Sequence, residues 1–159
     1  MCSPIERVTV VVTADTVHLW LIDAERPDGV VAGLAAVLDD EEQARAQALW
    51  RDDDRRRFVV AHGALRMIVG DTLGAPPEEI RWRRGVHGKP ELDGRWTGVQ
   101  VNLSHSGEVA AVAISTSRPV GLDVQHVLHH TDPVAMAARY FPPDEVGRAS
   151  CRERVYGTV

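Results

Sequence analysis

Residues 52–74, DDDRRRFVVAHGALRMIVGDTLG, carry the clearest helical pattern in the chain. Apolar residues recur in it at near-helical spacing, so one helix would bury them on one side. These residues are Phe58, Ala61, Leu65, Ile68 and Leu73. The pattern predicts a helix that follows the acid cluster Asp52–Asp54 and ends near Leu73–Gly74, with Arg55, Arg56 and Arg66 projecting from its other sectors.

A shorter helix is predicted just before this one, in the stretch from Leu38 to Trp50. Asp39 is a suitable N-cap, and Glu42 follows three residues later, which is the spacing of a capping box. The acidic residues at this end complement the positive end of the helix dipole.

Short strands are predicted around the helices, because apolar residues there alternate or form short β-branched runs. The predicted strands are Arg7–Val12, Val17–Ile22, Ile80–Arg83, Val99–Leu103, Val109–Ser115 and Val120–Val124. Glu25–Gly33 and Gly85–Gly98 are predicted to be loops, and Ser104–Gly107 a tight turn. A last helix is predicted over Pro133–Tyr140, with Asp132 as its N-cap.

The composition excludes some classes of protein. The 159 residues include 18 basic and 23 acidic ones, and the net charge of −5 argues against a general nucleic-acid binder. No apolar run approaches the length of a membrane span, and the N-terminus lacks the features of a secretory signal, so we expect a cytoplasmic protein. Cys2 and Cys151 form neither a disulfide framework nor a metal-ligand pair.

The basic residues are nevertheless concentrated in two segments, around residues 51–66 and 81–89. Local positive charge on an acidic protein suits a small polyanionic ligand better than a long one. The alternative is that both segments are solvated helix and loop faces, and for any single arginine that alternative is the commoner case.

Three short motifs follow one another in the second half of the chain. They are Gly88-Lys89-Pro90, Asn102-Leu103-Ser104-His105-Ser106 and Gly121-Leu122-Asp123-Val124-Gln125. Each alone is common, but their order resembles the signature of the Sfp-type 4′-phosphopantetheinyl transferases. Glu41–Arg45, Asp54–Phe58 and Ala64–Arg66 upstream, and Ala138–Phe141 with Glu145 downstream, fit the same family, so the resemblance covers roughly Val17 to Glu145.

The resemblance implies an α+β fold in which two similar halves are related by a pseudo-twofold axis. We expect residues 1–118 to form the N-terminal subdomain and residues 119–146 to begin the second. Residues 147–159 lose the pattern and are expected to be a disordered or non-native tail.

The resemblance also implies a reaction. Such enzymes transfer the 4′-phosphopantetheine arm of coenzyme A to a serine of an acyl or peptidyl carrier protein and release 3′,5′-ADP, with Mg²⁺ required. Fatty-acid, polyketide and non-ribosomal peptide carriers are all compatible with the motifs. Phosphoryl transfer depends mainly on positioning and charge neutralisation, which fits the observed residue types.

Residue roles follow from the match to the family motifs. Asp123 is expected to bind Mg²⁺, and Gln125 to assist with its carbonyl oxygen or through a water molecule. His105 is expected to contact the 3′-phosphate with support from Arg45 and Arg56. The nucleotide pocket is expected to include Arg84, Gly88, Lys89, Pro90 and Ser104. His105 and Lys89 are therefore expected, with Asp123, to be catalytic.

Two features depart from the family pattern. Gln125 stands where the family often has Glu, so it brings no negative charge to the metal. A Trp-x-x-Lys-Glu-Ala motif, which supplies a metal ligand and the presumed base in the family, does not occur in these 159 residues. We therefore expect this chain to be a fragment, to have an altered terminus, or to pair with another chain.

Other interpretations stay open from the sequence. Arg66 either binds phosphate or braces its helix against an acid such as Asp71. The chain could be an inactive fragment or a non-catalytic module that binds coenzyme A or a nucleotide. A hydrolase centre built from His105 with Ser104 or Ser106 is disfavoured, because adjacent residues on a turn do not readily adopt the required geometry and no nucleophile elbow is present.

Overall fold

The computed structural model of the chain describes residues 5–12, 15–85 and 89–126. Strands β1 (Ile5–Val12) and β2 (Asp15–Asp23) form a hairpin, followed by helices α1 (Asp28–Ala36), α2 (Asp40–Gln47) and α3 (Asp52–Leu73). A 3₁₀ turn (Pro77–Glu79) leads into β3 (Trp82–Arg84) and β4 (Pro90–Leu92). A second 3₁₀ turn (Gly94–Trp96) precedes β5 (Gln100–Ser106) and β6 (Val109–Ser115). The predicted α+β class is confirmed.

The strands form two antiparallel sheets. One has four strands in the order β1-β2-β6-β5, and the other is the β3-β4 hairpin. In the larger sheet Ser104 lies opposite Ala111 and His105 opposite Ala110. Strand β5 is an edge of this sheet, so its outer side is available to other parts of the chain.

Helix α3 forms the hydrophobic core together with one face of the larger sheet. The core combines residues of α3 with residues of β2, β4, β5 and β6, including Ile22, Val60, Leu65, Val69, Leu92, Val101, Val112 and Ile114. The predicted bounds of α3 are confirmed. The helix ends as helices often do, with Gly74 in the left-handed conformation (φ +63°). No helix in the described ranges has the length and apolar character needed to cross a membrane.

Helix α2 begins as predicted. Asp39 accepts a hydrogen bond from the Glu42 backbone N–H at 2.9 Å, and the Glu42 side chain accepts one from the Asp39 N–H at 3.2 Å. This is a complete capping box. The helix ends at Gln47, before the predicted end at Trp50, and the Trp50 side chain is exposed.

Three predictions about secondary structure were wrong in detail. Most of Glu25–Gly33, predicted to be a loop, belongs to α1 and the turn before it. Gly85–Gly98 contains β4 and a 3₁₀ turn. Strand β5 continues to Ser106, so only Gly107 and Glu108 form the turn and His105 lies on a strand.

The predicted strand Val120–Val124 was also wrong, because this stretch has no regular secondary structure. Its backbone bonds to side chains instead of to a neighbouring strand: the Val120 carbonyl accepts from Lys89 and Asn102, and the Val124 N–H donates to Ser104. The helix predicted over Pro133–Tyr140 lies outside the described residues. The boundary predicted after residue 118 stays a prediction.

Candidate functional site

A cavity of about 410 Å³ opens between helix α2, helix α3 and the strands β3, β4 and β5. Its lining mixes charged and apolar side chains. The acids are Asp39, Glu41 and Glu42, the basic residues are Arg45, His62, Arg83, Arg84 and His105, and the remaining residues are Leu65, Trp82, Pro90 and Leu103. A cavity with this mixture can hold a polar, anionic ligand of small size.

The floor of the cavity is a buried ionic network centred on Arg66, which has no exposed side-chain surface. Its guanidinium donates to Glu42 at 2.5 Å, to Asp39, and to the carbonyl oxygens of Pro77 and Ile80 at 3.1 and 3.0 Å. Of the two roles considered for Arg66, the structure shows the bracing of its helix. The acids that pair with Arg66 are Asp39 and Glu42, however, and not Asp71.

His62 extends the network from α3. Its ring stacks on Phe58 with centroids 4.0 Å apart, and Nδ1 lies 3.4 Å from a Glu42 carboxylate oxygen. Burial alone would raise the pKa of Glu42, but the hydrogen bonds from His62 and Arg66 outweigh it and lower that pKa below its ordinary value. Glu42 thus stays ionised in the floor of the cavity.

Four basic side chains besides His62 line the cavity, namely Arg45, Arg83, Arg84 and His105. Arg45, from α2, lies over the Phe58 ring with its guanidinium carbon 5.2 Å from the ring centroid. Arg84, from β3, donates to Glu41 at 2.6 Å, and His105 comes from β5. Partial burial, with a smaller contribution from the charge of His62, lowers the pKa of His105, so its imidazole is mainly neutral near pH 7.

A second group of predicted site residues gathers around the segment Val120–Val124. Lys89 and Asn102 both donate to the Val120 carbonyl, at 2.9 and 3.1 Å. Ser104 accepts from the Val124 N–H at 2.9 Å, and its hydroxyl lies 3.4 Å from an oxygen of Asp123. These contacts hold Asp123 beside strand β5 with its side chain exposed.

The two groups lie on different faces of strand β5. Successive side chains of a strand alternate in direction, so Ser104 and His105 point to opposite sides. Arg45, Arg84, Pro90 and His105 line the cavity, whereas Lys89, Ser104 and Asp123 belong to the second group. Lys89, His105 and Asp123 were expected to share one cleft. In the described residues they fall into two neighbouring groups, with His105 in the cavity and Lys89 and Asp123 in the second group.

Arg56, which was predicted to support His105, lies elsewhere. Arg56 donates to Asp28 at 2.6 Å and to the Arg26 carbonyl at 2.7 Å, near the start of α1 and away from the cavity. Gln125 is exposed. Gly88 lies outside the described residues.

A metal centre is not assembled by the residues that the structure describes, since no three His, Cys, Asp or Glu side chains cluster there in a way that could hold an ion. Asp123 still offers an exposed carboxylate, and Gln125 an exposed amide. Mg²⁺ is often held by one or two carboxylates, with water and substrate phosphate completing its shell. The donors present fit part of such a site.

Glu41 is a cavity residue that motif reasoning did not single out. Glu41 and Arg45 are four residues apart on α2, and residues with this spacing lie on one helix face. The spacing was visible in the sequence, but the partner of Glu41 was not, because Arg84 is 43 residues away.

Comparisons with known proteins match this region. A family model described as the N-terminal part of 4′-phosphopantetheinyl transferase covers residues 29–117. The 4′-phosphopantetheinyl transferase HetI of Nostoc sp. is 37% identical over 134 residues, which is 83% of this chain and 56% of that protein. The protein slr0495 of Synechocystis sp., provisionally named as the same kind of transferase, is 33% identical over 130 residues, or 81% of this chain and 52% of that protein.

A third relative, the 4′-phosphopantetheinyl transferase gsp of Aneurinibacillus migulanus, is 32% identical over 80 residues, 45% of this chain and 32% of that protein. The chain spans about half the length of the first two relatives. The family match covers more than half of the chain and includes α2, α3 and β3–β5, which build the cavity. The resemblance first visible in the motifs is confirmed, and the chain belongs to the 4′-phosphopantetheinyl transferase family.

Proposed function

We propose that the protein takes part in transferring the 4′-phosphopantetheine arm of coenzyme A to a serine hydroxyl of an acyl or peptidyl carrier protein. In this reaction the serine oxygen forms a bond to phosphorus, the pyrophosphate bond breaks, and 3′,5′-ADP leaves. The observation that carries the proposal is the cavity lined by Arg45, Arg84 and His105, within the region that matches the family.

The cavity supports the binding half of this function. Arg45 and Arg84 bring two permanent positive charges to its lining, and a nucleotide phosphate is the small anion that such a site suits. His105 adds a group that becomes cationic when an anion binds beside it, because a nearby negative charge raises the imidazole pKa. We assign the 3′-phosphate of coenzyme A to this cavity.

The second group, which contains Lys89, Ser104 and Asp123, is suited to bind the pyrophosphate of the substrate. Lys89 and Ser104 can each donate to phosphate oxygens after leaving their present partners, Val120 and Asp123. Asp123 and Gln125 would hold Mg²⁺, which when bound would neutralise negative charge on the pyrophosphate oxygens. We also propose, from the sequence, that the protein is cytoplasmic.

The test combines a transfer assay with calorimetry. In the transfer assay, an apo carrier protein is incubated with coenzyme A, Mg²⁺ and the chain, and modification is followed by intact-protein mass spectrometry. Calorimetry compares coenzyme A with dephospho-coenzyme A, and we expect tighter binding of coenzyme A. Equal affinity for the two ligands would contradict the assignment of the 3′-phosphate.

A non-catalytic role as a coenzyme A-binding module is the second candidate. It rests on the same cavity, whose arginines can bind an anion whether or not transfer follows. Binding of coenzyme A without modification of the carrier protein would support it for this chain, and modification would exclude it.

A further inference from the structure

The acidic residues of the cavity differ in how they are neutralised. Asp39 and Glu42 are both paired with the buried guanidinium of Arg66. Glu41 is instead paired with Arg84, and both side chains are largely exposed, at 65% and 76%. Glu41 is therefore the cavity acid whose charge is directed at the residues proposed to receive an anion.

The position of Glu41 also affects Arg45. The hydrogen bond and charge of Arg84 lower the pKa of the Glu41 carboxyl, and the charge of Arg45 lowers it further. One carboxylate thus lies within the electrostatic reach of both arginines. Arg83, the other cavity arginine, is paired separately with Glu91 at 2.7 Å.

We propose that Glu41 is a resident competitor for the anion site, so that its carboxylate occupies Arg84 in the free protein and must be displaced when a ligand phosphate binds. The proposal deepens the proposed function, because it identifies the residue that sets the affinity of the same cavity. A phosphate has the charge and oxygen geometry to replace a carboxylate on a guanidinium. A hydroxyl in the same place gains too little to displace it, so Glu41 favours phosphorylated ligands.

The first measurement is the affinity of wild-type and Glu41→Gln chains for inorganic phosphate and for 3′,5′-ADP by calorimetry. Exposed ion pairs are weak, so we expect the variant to bind both probes about twofold to fivefold more tightly. The gain should be larger at low salt, since screening weakens charge interactions between exposed groups.

Asp40→Asn is the matched control. Asp40 is in the same helical turn as Glu41 and is exposed, but it does not line the cavity. Its substitution removes the same charge and has a similar effect on the helix dipole. Its affinity should stay within experimental error of the wild type if competition for Arg84, and not net charge, is the cause.

The second measurement places Glu41→Gln in an Arg84→Gln background. Without Arg84 there is no shared partner to release, so the gain from Glu41→Gln should disappear. An unchanged gain in that background, a gain as large in Asp40→Asn, or no phosphate binding by any variant would each overturn the proposal. The transfer assay with coenzyme A tests the proposed function separately, because it can succeed whichever way these affinities change.

Discussion

Arg66 and Glu42 form an ion pair, Nε to Oε2 at 2.5 Å, in which the side chains are 0% and 7% exposed. Glu42 is also the residue that completes the capping box of α2. One buried pair therefore fixes the start of α2 on helix α3, and the carbonyl oxygens of Pro77 and Ile80 attach the entry to β3 to the same guanidinium. The elements that carry Arg45, His62 and Arg84, which are α2, α3 and β3, are therefore connected through the guanidinium of Arg66.

Arg66→Met should destabilise the chain strongly, because it leaves two carboxylates without their buried partner. We expect the free energy of unfolding in urea to fall by about 3–5 kcal/mol. Arg57→Gln is the control, since Arg57 is partly exposed and, among the described residues, its ion pair is with Asp54 at 3.5 Å; its effect should stay below about 1 kcal/mol. Similar losses in both variants would contradict the central role of Arg66.

Stability should depend on pH through Glu42. The pKa of Glu42 is lower in the folded chain than its ordinary value of 4.5, so the folded state binds fewer protons than the unfolded one in this range. The stabilisation is present above pH 4.5 and is lost as the pH falls through the folded-state pKa. The stability gap between wild type and Glu42→Gln, measured by urea unfolding from pH 7 to pH 3, should therefore narrow at acid pH. A constant gap would contradict this.

Gly63 allows α1 to lie directly on α3. A Cβ atom at this position would stand 2.7 Å from the backbone oxygen and the Cβ of Leu34, which is too close for either atom to stay in place. Gly63→Ala should reduce the free energy of unfolding by about 1–3 kcal/mol.

Gly33 gives the matched comparison, because it lies in α1 and a Cβ atom there would meet nothing within 4 Å. Gly33→Ala should raise the free energy of unfolding by about 0.5–1 kcal/mol, since alanine favours the helix. Thermal and urea unfolding of both variants check the pair. Stabilisation by Gly63→Ala would show that the two helices are not in close contact.

The affinity for 3′,5′-ADP should rise as the pH falls below neutrality, because His105 must be protonated to attract the phosphate, and partial burial lowers the pKa of His105 in the free chain. The protonated imidazole should improve binding by about tenfold. Calorimetry between pH 5.5 and pH 8 measures this. In His105→Gln the dependence should be much weaker, while His18→Gln, at a position that does not line the cavity, should keep it.

The sequence predicted the parts of the fold that depend on local signals. The apolar spacing of residues 58–73 gave α3, and Asp39 with Glu42 gave the start of α2. Helix α1 was missed because Pro27, Asp28 and Gly29 are typical of turns. The helix is stabilised by the contact of Leu34 with α3 at Gly63. No local pattern could reveal that contact.

The candidate site was predictable to a similar extent. Motif order predicted His105, Ser104, Lys89 and Asp123 as site residues, and their roles stay predictions. The structure places Ser104 and His105 on β5 and holds Asp123 beside it. Whether they share one cleft depended on how the segment after Pro119 is held, which the side chains of Lys89, Asn102 and Ser104 decide. Ion pairs across 24 to 43 residues, such as Arg66 with Glu42 and Arg84 with Glu41, leave no periodic trace in a single sequence.

Gly107, with φ +60°, and Glu108 form a two-residue turn between β5 and β6. The length of this turn limits which insertions and deletions the chain tolerates. Inserting or deleting one residue here would shift β5 by one position against β6 and reverse the side of every residue on it. Ser104 would then enter the cavity, and His105 would face the segment that carries Asp123. Homologous chains should therefore tolerate a new residue type at Glu108 far more readily than a different number of residues between Ser106 and Val109.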